Sequence, residues 1–298
     1  MLNRRSLFTG AAAAALTPIW ARPVRAATSP RKNPVVIFAK HVQEMDFAEL
    51  GRRLKAISAD GIEATLRKGG QIDPEHLSDR LGTLVDALAK SDQRVIIAAS
   101  NVNAVNVASE NYIAELAKSQ VPYLRMAYYK YDLSKPMLPQ LDAFAKQAAD
   151  LSKLCAAHGV TALYQNHAGR AYVGAALWDL HQALKEVDSD GLKVAVDIRH
   201  TTLELTQSYE AGYKSIRPMQ GATYVKDYDW VDGKPQNVPL AMGRAKPLFD
   251  IIQRDGFIGP LSLHMEYTDH RDPTKLEESW RAIAADMKTL RRWLGEGA

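Results

Sequence analysis

Cysteine is almost missing from this 298-residue sequence, in which Cys155 is the only one. A single cysteine excludes an internal disulfide, so the folded chain must be held together by its apolar core. Cys155 lies in an apolar stretch with helical periodicity, and a thiol in such surroundings is expected to be buried and unreactive.

The sequence also lacks a hydrophobic run long enough to span a bilayer. The apolar run at residues 9–21 is short and contains a proline, follows the pair Arg4-Arg5, and leads to a small-x-Ala pattern that ends at Ala26. This arrangement is typical of a twin-arginine signal peptide. We therefore predict that residues 1–26 are a cleaved signal, that the twin-arginine translocase carries the protein to the periplasm, and that no stable membrane anchor remains.

An excess of charge of one sign is lacking once that segment is set aside. The chain has 38 Lys and Arg against 34 Asp and Glu, and residues 1–26 contain four arginines and no acid, so the remainder is neutral. A neutral protein has no general attraction for nucleic acid or anionic lipid. We therefore predict no nucleic-acid partner.

No segment rich in glycine, serine or proline divides the chain after a polar linker at residues 27–33. From there, short β-rich runs alternate with longer segments of helical periodicity, which indicates parallel strands joined by helices. The predicted strands are 35–40, 61–66, 94–100, 122–127, 161–166, 192–197, 222–227 and 260–266. The predicted helices are 47–58, 76–91, 108–119, 138–158, 175–187, 203–211, 246–255 and 275–294.

Eight strand–helix units in about 270 residues predict an α/β fold, a single (β/α)8 TIM barrel over residues 34–298. The competing architecture is an open doubly wound sheet, which usually has a glycine-rich phosphate turn after its first strand. Residues 40–43, which follow the first predicted strand, contain no glycine. The barrel is therefore favoured.

The ends of the predicted strands are polar, and function sits at the carboxyl-terminal face of such a barrel. Strand alternation puts Gln165 and His167 on one face of their strand, and His264 and Glu266 on one face of theirs. If both faces point inward, these groups converge on the mouth of the barrel. The polar strand ends are Lys40-His41, Arg67-Lys68, Ser100-Asn101, Arg125, Gln165-Asn166-His167, Asp197-Ile198-Arg199-His200, Lys226-Asp227 and His264-Met265-Glu266-Tyr267.

Five segments have a familiar order on successive strands: DGIEATLR at 60–67, YQNH at 164–167, DIRH at 197–200, VKD at 225–227 and GPLSLHMEY at 259–267. With them, residues 34–294 resemble the sugar phosphate isomerase/epimerase superfamily, the xylose-isomerase-like barrels. The twin-arginine signal fits an exported branch of that superfamily.

The resemblance implies one Mn²⁺ or similar divalent ion, held by Glu, Asp, His and Glu from strands 5 to 8. Carried onto this chain, these positions are Gln165, Asp197, Tyr224 and Glu266, and the implied substrate histidine is His200. Two of the four depart from the pattern. The amide of Gln165 has no charge to offer, and the hydroxyl of Tyr224 stays protonated at neutral pH.

Two histidines are candidates to replace the lost ligands, His167 and His264, because imidazole and carboxylate together suit Mn²⁺, Fe²⁺, Co²⁺ or Zn²⁺. The predicted metal site therefore consists of Asp197, Glu266, Gln165 and His264. The same residues are equally compatible with a barrel that binds no metal ion. In that case Lys226 and Arg67 are the candidates for stabilising an oxyanion.

The family chemistry implies that a base removes the proton α to a carbonyl and that a cation stabilises the resulting oxyanion. We predict a sugar isomerase/epimerase-like enzyme with Glu266 as acid/base. Export makes an unphosphorylated sugar, polyol or keto-sugar the expected substrate. The further catalytic candidates are His167, His200 and Lys226, and the predicted substrate-binding residues are Arg67, Gln165, Trp230 and Tyr267.

Several alternatives remain open at this point. A single effective base suits β-elimination by a keto-sugar dehydratase or lyase, and the loss of two ligand positions suits a non-catalytic periplasmic carbohydrate-binding barrel. DNA repair of the endonuclease IV type shares the barrel, but the neutral charge opposes it. Lys226 and Asp227 have a structural alternative, a local ion pair closing strand 7. A homo-oligomer is also open.

Overall fold

The computed structural model describes residues 33–187 and 190–296, in which eight parallel strands close into a barrel. The predicted signal at residues 1–26 and most of the predicted linker lie outside these ranges. The strands in chain order are β1 (Val35–Phe38), β2 (Gly61–Thr65), β3 (Val95–Ala99), β4 (Tyr123–Arg125), β5 (Thr161–Gln165), β6 (Leu192–Asp197), β7 (Gln220–Val225), β8 (Asp227–Val231), β9 (Lys234–Val238) and β10 (Leu261–Leu263).

The helices lie between these strands and cover the outside of the barrel. They are α1 (Phe47–Ala56), α2 (Leu77–Ala89), α3 (Val107–Lys118), α4 (Met137–Ala157), α5 (Trp178–Leu184), α6 (Ile198–Leu205), α7 (Tyr209–Ile216), α8 (Lys246–Arg254) and α9 (Leu276–Trp293). In the described ranges no helix has both the length and the apolar character needed to cross a membrane.

The barrel closes between its first and last strands, where Val35 of β1 pairs with Leu261 of β10. All eight barrel strands are parallel, and helices cover them, so both faces of each strand are buried. That burial explains why the strands read as continuous apolar runs rather than as alternating patterns. The prediction of a single (β/α)8 barrel is confirmed.

Two apolar cores follow from this architecture. The larger core lies between strands and helices and includes Cys155, which is fully buried; burial raises the pKa of its thiol to about 12. The smaller core fills the amino-terminal end of the barrel interior with residues such as Val36, Leu163 and Ala222. Cys155 is therefore buried as predicted, and its thiol stays protonated at neutral pH.

The predicted helix at residues 203–211 is wrong, because two shorter helices occupy this part of the chain. Helix α6 begins directly after β6, where the side chain of Asp197 accepts a hydrogen bond from the backbone N–H of His200 (3.0 Å). The helix ends at Thr206, whose backbone has a φ of +40°. The capping carboxylate and this turn, rather than apolar periodicity, determine the boundaries.

The predicted seventh strand, 222–227, runs two residues too far, and a hairpin after it was missed. Strands β8 and β9 pair antiparallel, with Val231 opposite Lys234. Asp232 and Gly233 join them with φ values of +51° and +71°, the backbone that a two-residue hairpin turn prefers. An Asp-Gly pair between β-forming residues is a recognisable hairpin signal. The hairpin places Asn237 over the mouth of the barrel.

A layer of polar groups lies above the inner apolar core, around the carboxylate of Glu63. This side chain is fully buried and contacts Arg125 Nε (3.0 Å), Ser262 Oγ (2.6 Å) and His264 Nε2 (2.9 Å). Burial opposes ionisation of Glu63, but Arg125 and His264 outweigh it and hold the pKa at about 2. The interior therefore contains a fully desolvated ion pair that spans β2 and β4.

We expect Glu63→Gln to lower the free energy of unfolding by about 3 kcal/mol at neutral pH, because it leaves the buried guanidinium of Arg125 without its counter-charge. The pKa of Glu63 is lower in the folded chain than its reference value of 4.5. Its stabilisation is therefore present above pH 4.5 and is lost as the pH falls toward 2. Urea unfolding of both proteins across this range should show their stabilities converging.

The matched control is Lys246→Ala, which breaks an exposed ion pair with Asp250 (2.7 Å). We expect this change to alter stability by less than about 1 kcal/mol. A loss from Glu63→Gln no larger than that of the control would contradict the assigned role of the buried pair.

Candidate active site

A cavity of about 280 Å³ lies at the carboxyl-terminal mouth of the barrel. A second, more open cavity of about 450 Å³ adjoins it and shares Asn237, Glu266, Thr268 and His270. The first cavity is lined by Lys40, His41, His167, Arg199, His200, Lys226, Asn237, Glu266, Thr268 and His270. All of these side chains are polar and several are cationic, so the cavity suits a hydrophilic small molecule that can pair with their hydrogen-bonding groups.

The ammonium group of Lys226 lies at the floor of this cavity, between two carboxylates. Its Nζ atom is 3.1 Å from Asp197 Oδ2 and 2.9 Å from Glu266 Oε2. Burial disfavours the charged form of each group, but their mutual attraction raises the pKa of Lys226 and lowers that of Glu266 well below its usual range. The ammonium group of Lys226 and the carboxylate of Glu266 are therefore both charged at neutral pH.

Gln165 connects this cluster to the polar layer beneath it. Its carbonyl oxygen accepts hydrogen bonds from Arg125 Nη1 (3.0 Å) and Tyr128 Oη (2.6 Å), and its amide nitrogen donates to Asp197 Oδ2 (2.7 Å). The orientation of the amide is settled by its neighbours, because the oxygen faces two donors and the nitrogen faces a carboxylate. Gln165 therefore presents an N–H, not an oxygen, to the cluster.

Two histidines that line the cavity, His167 and His200, contact each other. The rings of His167 and His200 are stacked obliquely with centroids 3.8 Å apart. Burial lowers the pKa of both, and the positive charge of Lys226 lowers them further, that of His200 well below its usual value. Arg199 Nη1 donates to His200 Nδ1 (3.1 Å), so the neutral ring of His200 carries its hydrogen on Nε2, which is buried without a hydrogen-bond partner among the described residues. His167 Nδ1 donates to the backbone oxygen of Ala168 (2.8 Å), so its Nε2 has the lone pair that can accept a proton.

The rim of the cavity has further polar atoms whose hydrogen bonding is incomplete. Lys40 Nζ lies 3.4 Å from Glu266 Oε1, and Asn237 Nδ2 donates to the backbone oxygen of Glu266 (3.1 Å). Within the described part of the chain, Asn237 Oδ1, Arg199 Nε and His41 Nδ1 are buried and have no partner. Buried groups of this kind are costly unless something pairs with them, so the cavity suits a ligand that carries several hydroxyl or carbonyl groups.

The structure brings six of the residues predicted from the sequence to one place. Glu266, His167, His200 and Lys226 line the cavity, and Asp197 and Gln165 lie directly beneath its floor. The neighbour of Lys226 is not its ion-pair partner, since Asp227 instead accepts hydrogen bonds from the backbone of the following loop, at Tyr228, Ala241, Gly243 and Ala245. The alternative of a local Lys226–Asp227 ion pair is therefore wrong.

Four predicted residues lie elsewhere, and none of them lines the first cavity. The guanidinium of Arg67 lies 5.8 Å from the ring of Phe38, and Trp230 is 45% exposed on the hairpin. Tyr267 lines only the adjoining cavity. His264 is stacked between Phe38 and Tyr224, in the layer of Glu63.

The residues present do not fit the divalent ion that the resemblance implies. Asp197 and Glu266 both face the ammonium group of Lys226, Gln165 presents an N–H to Asp197, and His264 is bonded to Glu63. Tyr224 is fully buried with its ring against His264. Among the described residues there is no group of three or more His, Cys, Asp or Glu side chains that could hold a metal ion.

Sequence reasoning missed Lys40, His41, Arg199, Asn237, Thr268 and His270 as residues of the site. Lys40 ends the first predicted strand, His41 follows it, and Arg199 lies in a polar strand end, so their positions were a usable signal. The others are in loops or in the missed hairpin, and only the folded barrel places them at the cavity. Glu63 had a signal of its own, a carboxylate inside an otherwise apolar strand.

We predict that His41 remains neutral throughout the pH range 5–8, because burial lowers its pKa to about 4 despite the nearby Thr268 carbonyl and Glu266. Since the folded pKa is below the reference value of 6.5, His41 reduces stability as the pH falls from 6.5 toward 4. Proton NMR titration of wild type and His41→Asn would identify its signal by difference. A midpoint near 6.5 would contradict the buried, neutral assignment.

The comparisons with known proteins agree with the geometry. The family model described as xylose isomerase-like TIM barrel matches residues 52–293. A search of curated proteins found no match.

Solved structures share the fold at low sequence identity. A putative xylose isomerase from Rhodospirillum rubrum superposes with a TM-score of 0.71 at 11% identity, covering 89% of this chain and 100% of that one. 3-Keto-D-glucoside 4-epimerase from E. coli superposes with a TM-score of 0.62 at 16% identity, covering 86% of this chain and 99% of that one. A probable 3-DHS dehydratase from Bacillus anthracis superposes with a TM-score of 0.63 at 15% identity, covering 87% of this chain and 98% of that one. These likenesses concern the fold alone.

Proposed function

Since the chain belongs to the xylose isomerase-like TIM barrel family, we propose that it is a sugar isomerase/epimerase-like enzyme that moves a proton α to a carbonyl group. The observation that carries this proposal is the placement of Glu266. Its carboxylate lines a polar cavity together with His167 and His200, and it contacts the ammonium groups of Lys226 (2.9 Å) and Lys40 (3.4 Å).

The proton-transfer groups follow from their charge states. Glu266 is ionised at neutral pH, and His167 is neutral with the lone pair of Nε2 free, because its Nδ1 donates to the Ala168 oxygen (2.8 Å), so both are in the form that accepts a proton. One of them removes the proton from the carbon next to the carbonyl, and the electron pair moves to the carbonyl oxygen. Return of the proton to the neighbouring carbon gives an isomer, and return to the opposite face by the second group gives an epimer.

The proposed substrate is an unphosphorylated sugar, polyol or keto-sugar. A cavity of about 280 Å³ is at the lower end of the range for small-molecule sites and suits a single sugar ring. One structural neighbour is named as an epimerase of a 3-keto-D-glucoside, which is a sugar without phosphate. We also retain, as part of the proposal, export to the periplasm on the twin-arginine signal of residues 1–26, where phosphorylated sugars are scarce.

A dehydratase or lyase is the second candidate, and a specific observation favours it. Glu266 is the one carboxylate among the residues lining the first cavity, and the other proton-transfer candidates are imidazoles. Removal of an α proton followed by loss of a β hydroxyl needs a base on one side and an acid for the leaving group, and dissimilar groups suit that division. A structural neighbour is named as a probable dehydratase.

The first test is exchange of the substrate α proton with solvent. Wild-type protein is incubated in D₂O with D-psicose, D-tagatose and a 3-keto-D-glucoside, and NMR follows deuterium incorporation and new products. We expect Glu266→Gln to lower the exchange rate by about 10²–10⁴-fold, because it removes the acid/base group and keeps the side-chain shape. Calorimetry should show that the affinity of Glu266→Gln for the sugar changes by a smaller factor than its exchange rate does.

The matched control is Glu210→Gln, the same change at an exposed ion pair with Arg254 (2.9 Å) remote from the cavity. It should leave exchange unchanged. Sugar binding without exchange in wild type would instead establish a non-catalytic carbohydrate-binding barrel. Exchange that survives Glu266→Gln would overturn the role assigned to this carboxylate.

A further inference from the structure

We propose that the ammonium group of Lys226 occupies the place of the divalent cation in this barrel, so that the site works without a metal ion. A metal ion and an ammonium group are both buried cations, and in either case the surrounding carboxylates must neutralise the positive charge. The catalytic part of this inference rests on the proposed function, whereas the exclusion of the metal does not.

The first argument is convergence. Asp197 and Glu266, the two positions of the implied ligand set that keep their acid, both point at one atom, Lys226 Nζ, at 3.1 and 2.9 Å. Lys226 directly follows β7, the strand that the resemblance expects to supply a histidine ligand, and the residue is 5% exposed. The flexible stem of a lysine allows the ammonium group to lie between Asp197 at the end of β6 and Glu266 beyond β10, the two strands on either side of β7.

The second argument concerns Gln165, which is uncharged where the resemblance implies a Glu ligand, and whose amide is oriented to suit an ammonium group rather than a metal ion. Gln165 does not offer its oxygen to the cluster, because Arg125 and Tyr128 hold it at 3.0 and 2.6 Å. Its amide nitrogen instead donates a hydrogen bond to Asp197 Oδ2 (2.7 Å). A glutamate at this position would have added a third negative charge to the two carboxylates that Lys226 and Lys40 balance.

The third argument is the balance of charge. Two carboxylates, Asp197 and Glu266, face two ammonium groups, Lys226 and Lys40, with Lys40 at 3.4 Å from Glu266 Oε1. The cluster is therefore neutral before any ion enters. A divalent cation would have to displace or repel Lys226, and no other pair of acids lines the cavity to compensate in the described ranges.

The reaction needs no further component. When the base takes the α proton, the C–H electron pair becomes the new C=C bond and the carbonyl π pair becomes the oxyanion. An ammonium group has three N–H donors, of which two face Asp197 and Glu266, so one remains for the substrate oxygen in the cavity. As the enediolate returns to a carbonyl, the proton is delivered to carbon and Lys226 keeps its charge.

The decisive experiment measures metal binding by the full-length protein and by Lys226→Met, which keeps the length of the side chain and removes its charge. Elemental mass spectrometry after reconstitution with MnCl₂, and the melting temperature with and without MnCl₂, give two readouts independent of activity. We expect wild type to hold no stoichiometric manganese and to show no MnCl₂-dependent rise in melting temperature. Lys226→Met should gain that rise, because it exposes two unpaired carboxylates to the added ion.

The control variant is Lys118→Met, the same change at an exposed pair with Glu115 (3.2 Å), which should behave as wild type in every measurement. In the D₂O assay, Lys226→Met without metal should lose about 10²–10³-fold in exchange rate, as expected for one oxyanion donor. If Lys226→Met does not fold, two measurements on wild type test the inference: its manganese content, and the effect of a chelator on proton exchange.

Stoichiometric manganese in wild type, lost in Asp197→Asn, would overturn the inference and leave the proposed function standing. Metal-free wild type with a manganese response in Lys226→Met, but without proton exchange on any sugar, would support the cation replacement and refute the proposed chemistry. The two failures are therefore distinguishable.

Discussion

Charges inside a closed barrel must neutralise one another, because water cannot reach them, and this requirement organises the interior of the protein. The carboxylates of Glu63 and Asp197 are both fully buried. Glu63 is paired with Arg125 at 3.0 Å, and Asp197 is paired with Lys226 at 3.1 Å. Gln165 joins the two pairs by accepting from Arg125 and donating to Asp197. A continuous set of polar contacts therefore runs from Glu63 to Lys226, and the amide of Gln165 is the contact between the two pairs.

The same constraint makes the candidate site rigid. Asp197 balances Lys226, accepts from Gln165 and also starts helix α6 by accepting the backbone N–H of His200 at 3.0 Å. One carboxylate thus places an ammonium group and an imidazole relative to each other. Groups held by strands and by a helix terminus are positioned more accurately than groups on loops. The contribution of the loops is the rim, where the hairpin brings Asn237 to the backbone of Glu266.

Much of the fold and part of the site could be predicted from the sequence. Every barrel strand except β7 lies inside its predicted range, because apolar runs bounded by turn residues are a local signal. Helix α6 and the hairpin were missed for opposite reasons. The start of α6 depends on a hydrogen bond that the backbone N–H of His200 donates to the Asp197 side chain, which periodicity does not show. The hairpin had a visible signal in Asp232-Gly233, but its strands are short and largely polar.

The alternation of short apolar runs with longer helical segments was enough to predict the closed parallel barrel and to place the candidate site residues at the ends of strands 5 to 8, since both follow from local patterns and from the common direction of parallel strands. Only the tertiary structure decided which charge meets which. His264 and Glu266 share one face of their strand, yet one contacts Glu63 in the interior and the other contacts Lys226 at the mouth. The difference arises because successive inward residues of a strand lie at different depths of the barrel. The partner available at each depth comes from other strands, whose register is set only when the barrel closes.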